Sequence, residues 1–170
     1  IGPSMTRRRF APPPKENDIF GAWVPLVALT ASKTKPLPFA RHDPMITRLE
    51  RAYTDMATAD TPALSSWRDL TDMQNLLQSL VEKEWATDEA GDIDGAKAAL
   101  LQAAEAFEQH GKLRLTGPSL AQLRNCLDQY TELTRQISEH SYWQAVKHTQ
   151  HRAASIRRGR IRPGDQVVSL

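Results

Sequence analysis

The chain has 170 residues, a length that favours one domain, and 40% of them are hydrophobic, enough to bury a single core. Its one cysteine, Cys126, excludes an intramolecular disulfide and a cysteine-rich zinc site, and a lone thiol fits a reducing compartment. The net charge of +2 hides an uneven layout, because residues 1–41 carry +5, residues 42–139 carry −8 and residues 140–170 carry +5. We therefore expect a cytoplasmic protein whose acidic body has two basic ends.

The domain limits follow from the distribution of proline and charge. Residues 1–16 are predicted to be a cloning scar (residues 1–4) followed by a basic, proline-rich arm, because the prolines at 12–14 impose an extended conformation. Residues 17–158 are predicted to form a single helical domain. Residues 159–170 are predicted to be a basic tail or a short strand. No apolar run is long enough to span a bilayer, so we expect no membrane partner.

The first two clear helices are predicted from their starts. Asp43 and Pro44 have the order of a capping acid and a proline in the first turn, which predicts a helix to about residue 57. Ser66, with Asp69 three residues later, has the spacing of a helix cap and predicts a second helix to about residue 84. This second helix carries a continuous apolar stripe of Leu70, Met73, Leu76, Leu77, Leu80 and Val81.

The second half of the chain predicts two more helices. An alanine-rich segment from about Asp94 is strongly helix-forming, and Gly111 has the position of a left-handed cap. Pro118 then opens an apolar-striped run with no stop signal before about Ser155. We predict a single helix of about 35 residues there, about 52 Å long, which exceeds the ~30 Å diameter of a small domain.

The predicted fold is therefore an all-α helical bundle of four to five helices, with a long C-terminal helix as its spine and extended basic termini. The end of that long helix would project from the bundle. Its apolar side chains would then need either another helix of the same chain or a second subunit, which predicts a homo-oligomer. These predicted contact residues are Tyr142, Trp143 and Val146.

The basic ends are the strongest functional signal in the sequence. One cluster is Arg7, Arg8 and Arg9, and the other comprises Lys147, Arg152, Arg157, Arg158, Arg160 and Arg162. Such clusters bind polyanions by counterion release, and a flexible basic arm can grip phosphates. Tyr142 and Trp143, just before the second cluster, could stack on bases. The alternative is that these arginines bind an acidic protein surface, pair with acids of the same chain or offset a helix dipole.

A helix-turn-helix arrangement is a further nucleic-acid possibility. It would use the start of the last helix as the groove reader. The side chains suited to reading bases there are Ser119, Gln122, Arg124 and Asn125.

The sequence does not support a metal site. If Gly95 is the sixth residue of a calcium loop, Ala90 and Leu101 occupy the positions that require carboxylates. We therefore expect the acidic loop before Gly95 to cap the next helix. His148 and His151 share a helix face but do not bracket a glutamate, as the histidines of a catalytic zinc motif do.

The sequence also lacks the usual signs of catalysis. There is no nucleophile elbow, no glycine-rich phosphate loop and no dinucleotide fingerprint. Cys126 lies among apolar positions and is expected to be a buried structural residue. We assign no catalytic residue and no cofactor, and we expect that the protein is not an enzyme.

Residues 7–14, Arg-Arg-Arg-Phe-Ala-Pro-Pro-Pro, resemble the start of small accessory proteins carried by phages and mobile elements. This resemblance implies a host–phage or regulatory role and transfers no activity or site. We therefore expect a non-enzymatic binding or regulatory protein that acts by protein–protein interaction. The alternative is a DNA- or RNA-binding accessory protein that uses its basic N-terminal arm and its C-terminal arginine cluster.

Overall fold

The computed structural model of the protein describes residues 30–159, and within this range it contains five α-helices and no β-strand. This confirms the predicted all-α bundle. The basic arm, the segment up to residue 29 and the tail from residue 160 lie outside the described residues. The helices are α1 (Phe39–Thr58), α2 (Leu64–Glu82), α3 (Asp92–His110), α4 (Gly117–Gln136) and α5 (Glu139–Arg157).

Helix α2 is the central element of the bundle, because it packs against α1, α3, α4 and α5. Its predicted apolar stripe is confirmed, because Val81 is half-buried and the other five residues of the stripe are fully buried: Leu70, Met73, Leu76, Leu77 and Leu80. The prediction that the C-terminal helix is the spine is therefore wrong. Polar residues beside the stripe, such as Thr71, Gln74 and Ser79, are buried as well, so the buried surface of α2 is wide enough to take neighbours on several sides.

Helix α1 begins five residues earlier than predicted, at Phe39 rather than at Pro44. The first turn is closed by the carbonyl of Pro38, which accepts from the N–H groups of Arg41 and His42, both at 2.9 Å. Pro44 lies in the second turn and leaves only the carbonyl of Ala40 without its helical donor. Ala40 is exposed, so water can bond to this carbonyl.

The corner between α1 and α2 also differs from the prediction. Asp55 of α1 accepts hydrogen bonds from the N–H of Ala63 (2.9 Å) and from the hydroxyl of Ser66 (2.7 Å). Asp69, predicted to help cap the helix, instead accepts two hydrogen bonds from Arg48, each of 2.8 Å. The acid that caps α2 thus comes from α1, and the acid within α2 faces α1. Local spacing reveals neither contact.

The end of α2 has the geometry of a Schellman motif. The N–H of Trp85 donates to the carbonyl of Leu80 (2.9 Å), and the N–H of Glu84 donates to that of Val81 (3.0 Å). The motif requires a left-handed residue, and Glu84 supplies it with a φ of 61°. Glycine is the usual residue in this position, so Glu84 holds a conformation that its Cβ disfavours.

The limits of α3 agree with the sequence. Asp88 accepts hydrogen bonds from the N–H groups of Ile93 and Asp94, both at 3.0 Å, which confirms that the acidic loop caps this helix. Gly111 ends it with a φ of 69°, as predicted.

The predicted long helix is wrong, because the chain breaks at Ile137 and Ser138 into α4 and α5. Both residues are extended, and the hydroxyl of Ser138 accepts from the N–H of Ser141 (3.1 Å). The N–H groups of Glu139 and His140, the first two residues of α5, donate to the carbonyls of Lys35 and Ser32, both at 2.8 Å. The donors of the first turn are thus satisfied by a segment about one hundred residues earlier, and no 52 Å helix overhangs the bundle.

Candidate binding face on helix α5

The position of α5 is set by its buried side. Tyr142, Ala145, Val146 and Thr149 are buried there, and the hydroxyls of Thr149 and Ser79 of α2 lie 2.6 Å apart. Because this contact is buried, it specifies the rotation of α5 about its axis as well as its position. The opposite side of α5 consequently faces solvent.

The predicted partner contacts Tyr142, Trp143 and Val146 are core residues, with 1%, 0% and 0% of their surface exposed. The hydroxyl of Tyr142 donates to the sulfur of Met45 (3.2 Å), and the guanidinium of Arg41 lies 5.6 Å from the centre of the Trp143 ring. The assignment to an oligomer contact is therefore wrong. Of the two alternatives, the structure bears out contact with other helices of the same chain, and neither ring is open for stacking on a base.

Arg152 is occupied within the domain. Glu82, the last residue of α2, forms an ion pair with Arg152 and accepts a hydrogen bond from Nε2 of His148 at 2.8 Å. Partial burial opposes ionisation of Glu82, but the bonds to His148 and Arg152 outweigh it and hold the pKa of this carboxyl below its ordinary value. The predicted binding residue Arg152 is thus used to join α2 to α5.

The outer side of α5 carries a row of mostly polar and basic residues, which we call the α5 face; three of its six members are exposed and the other three are half-buried. Its members follow one another at alternating intervals of four and three residues, so they form one line along the helix. The line is about 27 Å long at 1.5 Å per residue. The α5 face consists of His140, Gln144, Lys147, His151, Ala154 and Arg158.

The basic side chains of the α5 face are exposed. Lys147, His151 and Arg158 are exposed, as is Arg157 beside them. Among residues 30–159, no carboxylate forms an ion pair with Lys147, Arg157 or Arg158. Arg158 continues the helical line although it follows the last residue of α5, because its N–H still donates to the carbonyl of Ala154 (3.1 Å).

Arg157 and Arg158 also lie at the negative end of the α5 dipole, where cations are favoured. The remaining predicted binding residues, Arg7, Arg8, Arg9, Arg160 and Arg162, lie outside the described residues. The structure therefore separates the C-terminal cluster into a paired member, Arg152, and open members on the α5 face and beside it.

The helix-turn-helix possibility is not supported by the start of α4. Arg124 forms hydrogen bonds with both carboxylate oxygens of Glu50 (2.7 Å each) and with Asp128 (2.6 Å). Its guanidinium also lies 5.0 Å from the centre of the Tyr53 ring. These bonds, chiefly those to Glu50, raise the pKa of Arg124 above its ordinary value. A guanidinium held in this way is not free to read a base.

Cys126 has the predicted structural role. Its side chain is fully buried, and its thiol donates to the carbonyl of Asp92 (3.3 Å). Burial, with smaller contributions from Asp92 and Asp88, raises the pKa of the thiol to about 12. A nucleophilic cysteine needs a lowered pKa and access to solvent, and Cys126 has neither.

A cleft of about 440 Å³ lies between the end of α2 and the start of α3. Its carboxylates are engaged: Glu82 with Arg152 and His148, Asp88 with backbone N–H groups, and Asp94 at 3.6 Å from Lys97. Residues 30–159 contain no group of three or more side chains suited to hold a metal ion. The cleft is therefore a weaker candidate for a binding site than the α5 face.

Sequence reasoning identified the basic residues but did not recognise the α5 face as one line. The alternating spacing from His140 to Arg158 was readable, but nothing local indicated which side of the helix would be buried. The break before α5 did have a local signal, since Ser138 followed by the acidic Glu139 is a common helix start.

The described residues therefore form an all-helical domain whose last helix, α5, carries several basic residues. No family model, no curated protein and no solved structure matches the chain. No helix among the described residues is long and apolar enough to cross a membrane.

Proposed function

We propose that this protein is a non-enzymatic binding protein that docks an acidic protein partner on the α5 face. The observation that carries the proposal is the alignment of Lys147, His151 and Arg158 on the outer side of α5, open to solvent and without ion-pair partners in the described range. Exposed basic side chains contribute little to folding, so their alignment along about three turns is better explained by an external anionic surface.

The spacing of the α5 face favours a helical partner. Same-side residues of a helix recur about every 5.3 Å, so five intervals cover about 27 Å on both helices. Same-side residues of an extended chain recur about every 6.7 Å, so five intervals cover about 33 Å. The difference of about 6 Å exceeds the reach of an ion pair, and an extended chain would lose register along the face.

Two observations favour a protein over a nucleic acid. Residues 42–139 carry a net charge of −8, which repels a long polyanion within a screening distance of about 10 Å. Tyr142 and Trp143 are buried and offer no stacking surface for bases. A small acidic protein surface avoids the first difficulty because it need cover only α5.

The likeness of residues 7–14 to phage and mobile-element accessory proteins supports a regulatory rather than a catalytic role. The single thiol of Cys126 supports the cytoplasm as the place of action.

The proposal is tested with two fluorescent peptides of equal composition, built on an alanine helix. One carries glutamates at alternating intervals of four and three residues, and the other distributes them around the helix. We expect the first peptide to bind more tightly. We expect the double variant Lys147→Ala/Arg158→Ala to weaken this binding by about 5- to 30-fold, at up to about 1 kcal/mol per exposed charge pair.

The matched control is Arg51→Ala/Arg114→Ala, which removes the same charge from two exposed positions on α1 and after α3. It should leave peptide binding within about twofold, because neither position belongs to the α5 face. Equal loss in both double variants would mean that only net charge matters and would remove the proposal. Tighter binding of duplex DNA than of either peptide, lost in Lys147→Ala/Arg158→Ala, would replace it with the nucleic-acid alternative.

A further inference from the structure

The outer side of α3 carries a second row with the same spacing as the α5 face. Its members again follow at intervals of four and three residues, and all of them are exposed. We call this row the α3 face. It consists of Asp94, Ala98, Leu101, Glu105 and Glu108.

The α3 face has the features of an uncovered contact surface. Its three carboxylates are exposed, with 80% of the Asp94 side chain in contact with solvent, although Asp94 lies 3.6 Å from Lys97 and Glu105 accepts a hydrogen bond from Gln109 (3.3 Å). Leu101 is one of three large hydrophobic residues exposed in residues 30–159, with 37% of its surface in contact with solvent. The described structure thus presents an acidic row with a central leucine on one helix and a basic row on another.

We propose that the acidic partner of the α5 face is the α3 face of a second copy of this chain, with the two helices antiparallel. This inference rests on the proposed function, because it names the occupant of the same surface. The complementary charges and the shared spacing of the two rows carry the inference.

The antiparallel direction follows from the order of residues in each row. Starting from Arg158 on α5 and from Asp94 on α3, both rows advance by four, three, four and three residues. Arg158 then meets Asp94, and Lys147 meets Glu105. In the parallel direction, with His140 starting opposite Asp94, Lys147 would meet Leu101 and leave its charge uncompensated.

The other positions are compatible with close approach. Ala154 meets Ala98, and two small side chains let helix axes come near one another. Leu101 meets His151, whose ring can cover it, and the amide of Gln144 meets Glu108. Antiparallel helices also bring opposite dipole ends together.

The contact is heterologous, because α3 of one copy meets α5 of the next. A single helix pair buries less surface than a standard interface, so we expect a dissociation constant in the micromolar range. Association should depend on salt, because screening shortens from about 10 Å at 0.1 M to about 3 Å at 1 M.

The test is sedimentation velocity of the full chain from about 5 to about 500 µM, a range that brackets micromolar association. We expect the unaltered protein to associate with rising concentration at low salt and to dissociate at high salt. Lys147→Glu/Arg158→Glu should oppose two acidic rows, and Asp94→Lys/Glu105→Lys two basic rows. Each variant alone should associate at least about tenfold more weakly.

An equimolar mixture of these two variants should associate again, because each acidic row then meets a basic one. Restoration in the mixture also establishes that both variants are folded, and circular dichroism checks each of them alone. The control Arg51→Glu/Arg114→Glu makes the same charge change as the α5 variant at two exposed positions that belong to neither face, and it should associate like the unaltered protein.

Three results would overturn the inference. The unaltered protein could stay monomeric over the whole concentration range, the mixture of the two variants could fail to associate, or association could be lost in the α5 variant but not in the α3 variant. In each of these cases, the proposed function would stand if the α5 face still bound the peptide whose glutamates lie at alternating intervals of four and three residues. Loss of both the self-association and the peptide binding would remove the two proposals together.

Discussion

The two sides of α5 use similar side chains for opposite purposes. On the inner side, Arg152 and His148 meet Glu82, and Thr149 meets Ser79, so polar groups join α5 to α2. On the outer side, Lys147 and Arg158 meet no carboxylate of the described residues. The difference teaches that a basic cluster is not one functional unit, because the rotation of the helix decides which charges hold the fold and which remain for a partner.

The strongest test of this comparison replaces the largest buried side chain of α5. Trp143 is fully buried, so Trp143→Ala should lower the free energy of unfolding by about 3–5 kcal/mol, measured by urea denaturation. Lys147→Ala, one turn further along the helix at an exposed position, should change it by less than about 0.5 kcal/mol. Trp143→Phe should cost less than the alanine variant, because the phenyl ring fills much of the volume that alanine leaves empty, while both variants remove the buried indole N–H, which has no acceptor in the described residues. Similar losses for Trp143→Ala and Lys147→Ala would contradict the division into two sides.

A second test uses His42, the buried histidine of α1 that contacts α4. His42 lies 2.7 Å from the hydroxyl of Thr134, and burial, with a smaller effect of Arg135, lowers its pKa from the ordinary value of 6.5. The folded state therefore binds fewer protons than the unfolded state as pH falls below 6.5, so this contribution to stability is lost toward acid.

The pH effect is measured as the difference between the unaltered protein and His42→Gln. The unaltered protein should lose up to about 1.4 kcal/mol more per pH unit below neutrality, the limit for one proton. Both proteins contain the other four histidines, so subtracting one stability curve from the other removes the contribution of their titration. An identical pH dependence in the two proteins would show that His42 titrates as it does in the unfolded chain.

A third test concerns an exception to the rule that exposed residues contribute little to stability. Glu84 is exposed, and yet its substitution should affect stability. Its φ of 61° suits glycine, so Glu84→Gly should raise the free energy of unfolding by about 0.5–1 kcal/mol. Glu84→Ala removes the same charge but keeps the Cβ, and it should bring no such gain. Equal gains in both variants would attribute the effect to charge rather than to backbone conformation.

The smallest expected effect on stability belongs to the outer side itself. Lys147→Ala/Arg158→Ala should shift the free energy of unfolding by less than about 0.5 kcal/mol, because exposed and unpaired cations contribute little. Glu82→Gln, which breaks the pair with Arg152, should cost more than this double variant in the same urea titration. The reverse order would mean that the outer cations stabilise the fold.

The helical elements were largely predictable because their signals are local. The stripe from Leu70 to Leu80 and the left-handed cap at Gly111 depend on spacing within one helix or on one residue, and both were confirmed. The start of α1 was predicted too late because Pro44 is tolerated in the second turn. The cap of α2 was assigned to the wrong residues because Asp55 reaches it from another helix.

The candidate site was only half predictable. Lys147, Arg152 and Arg158 were all selected as binding residues, but the sequence could not separate them. Arg152 differs from the others only because Glu82, seventy residues away, faces it. Tyr142 and Trp143 were assigned to a partner because the predicted overhang depended on a helix that is in fact interrupted at Ile137.

The sequence by itself determined the helical class, the buried stripe of α2, the capping of α3 and the separation of charge along the chain. These properties depend on residues within one or two helical turns of each other, so a linear pattern contains them. Only the tertiary structure decided which side of α5 is buried and which groups accept from its first N–H groups. Those outcomes depend on the carbonyls of Ser32 and Lys35 and on the hydroxyl of Ser79, which meet α5 only after the chain has folded.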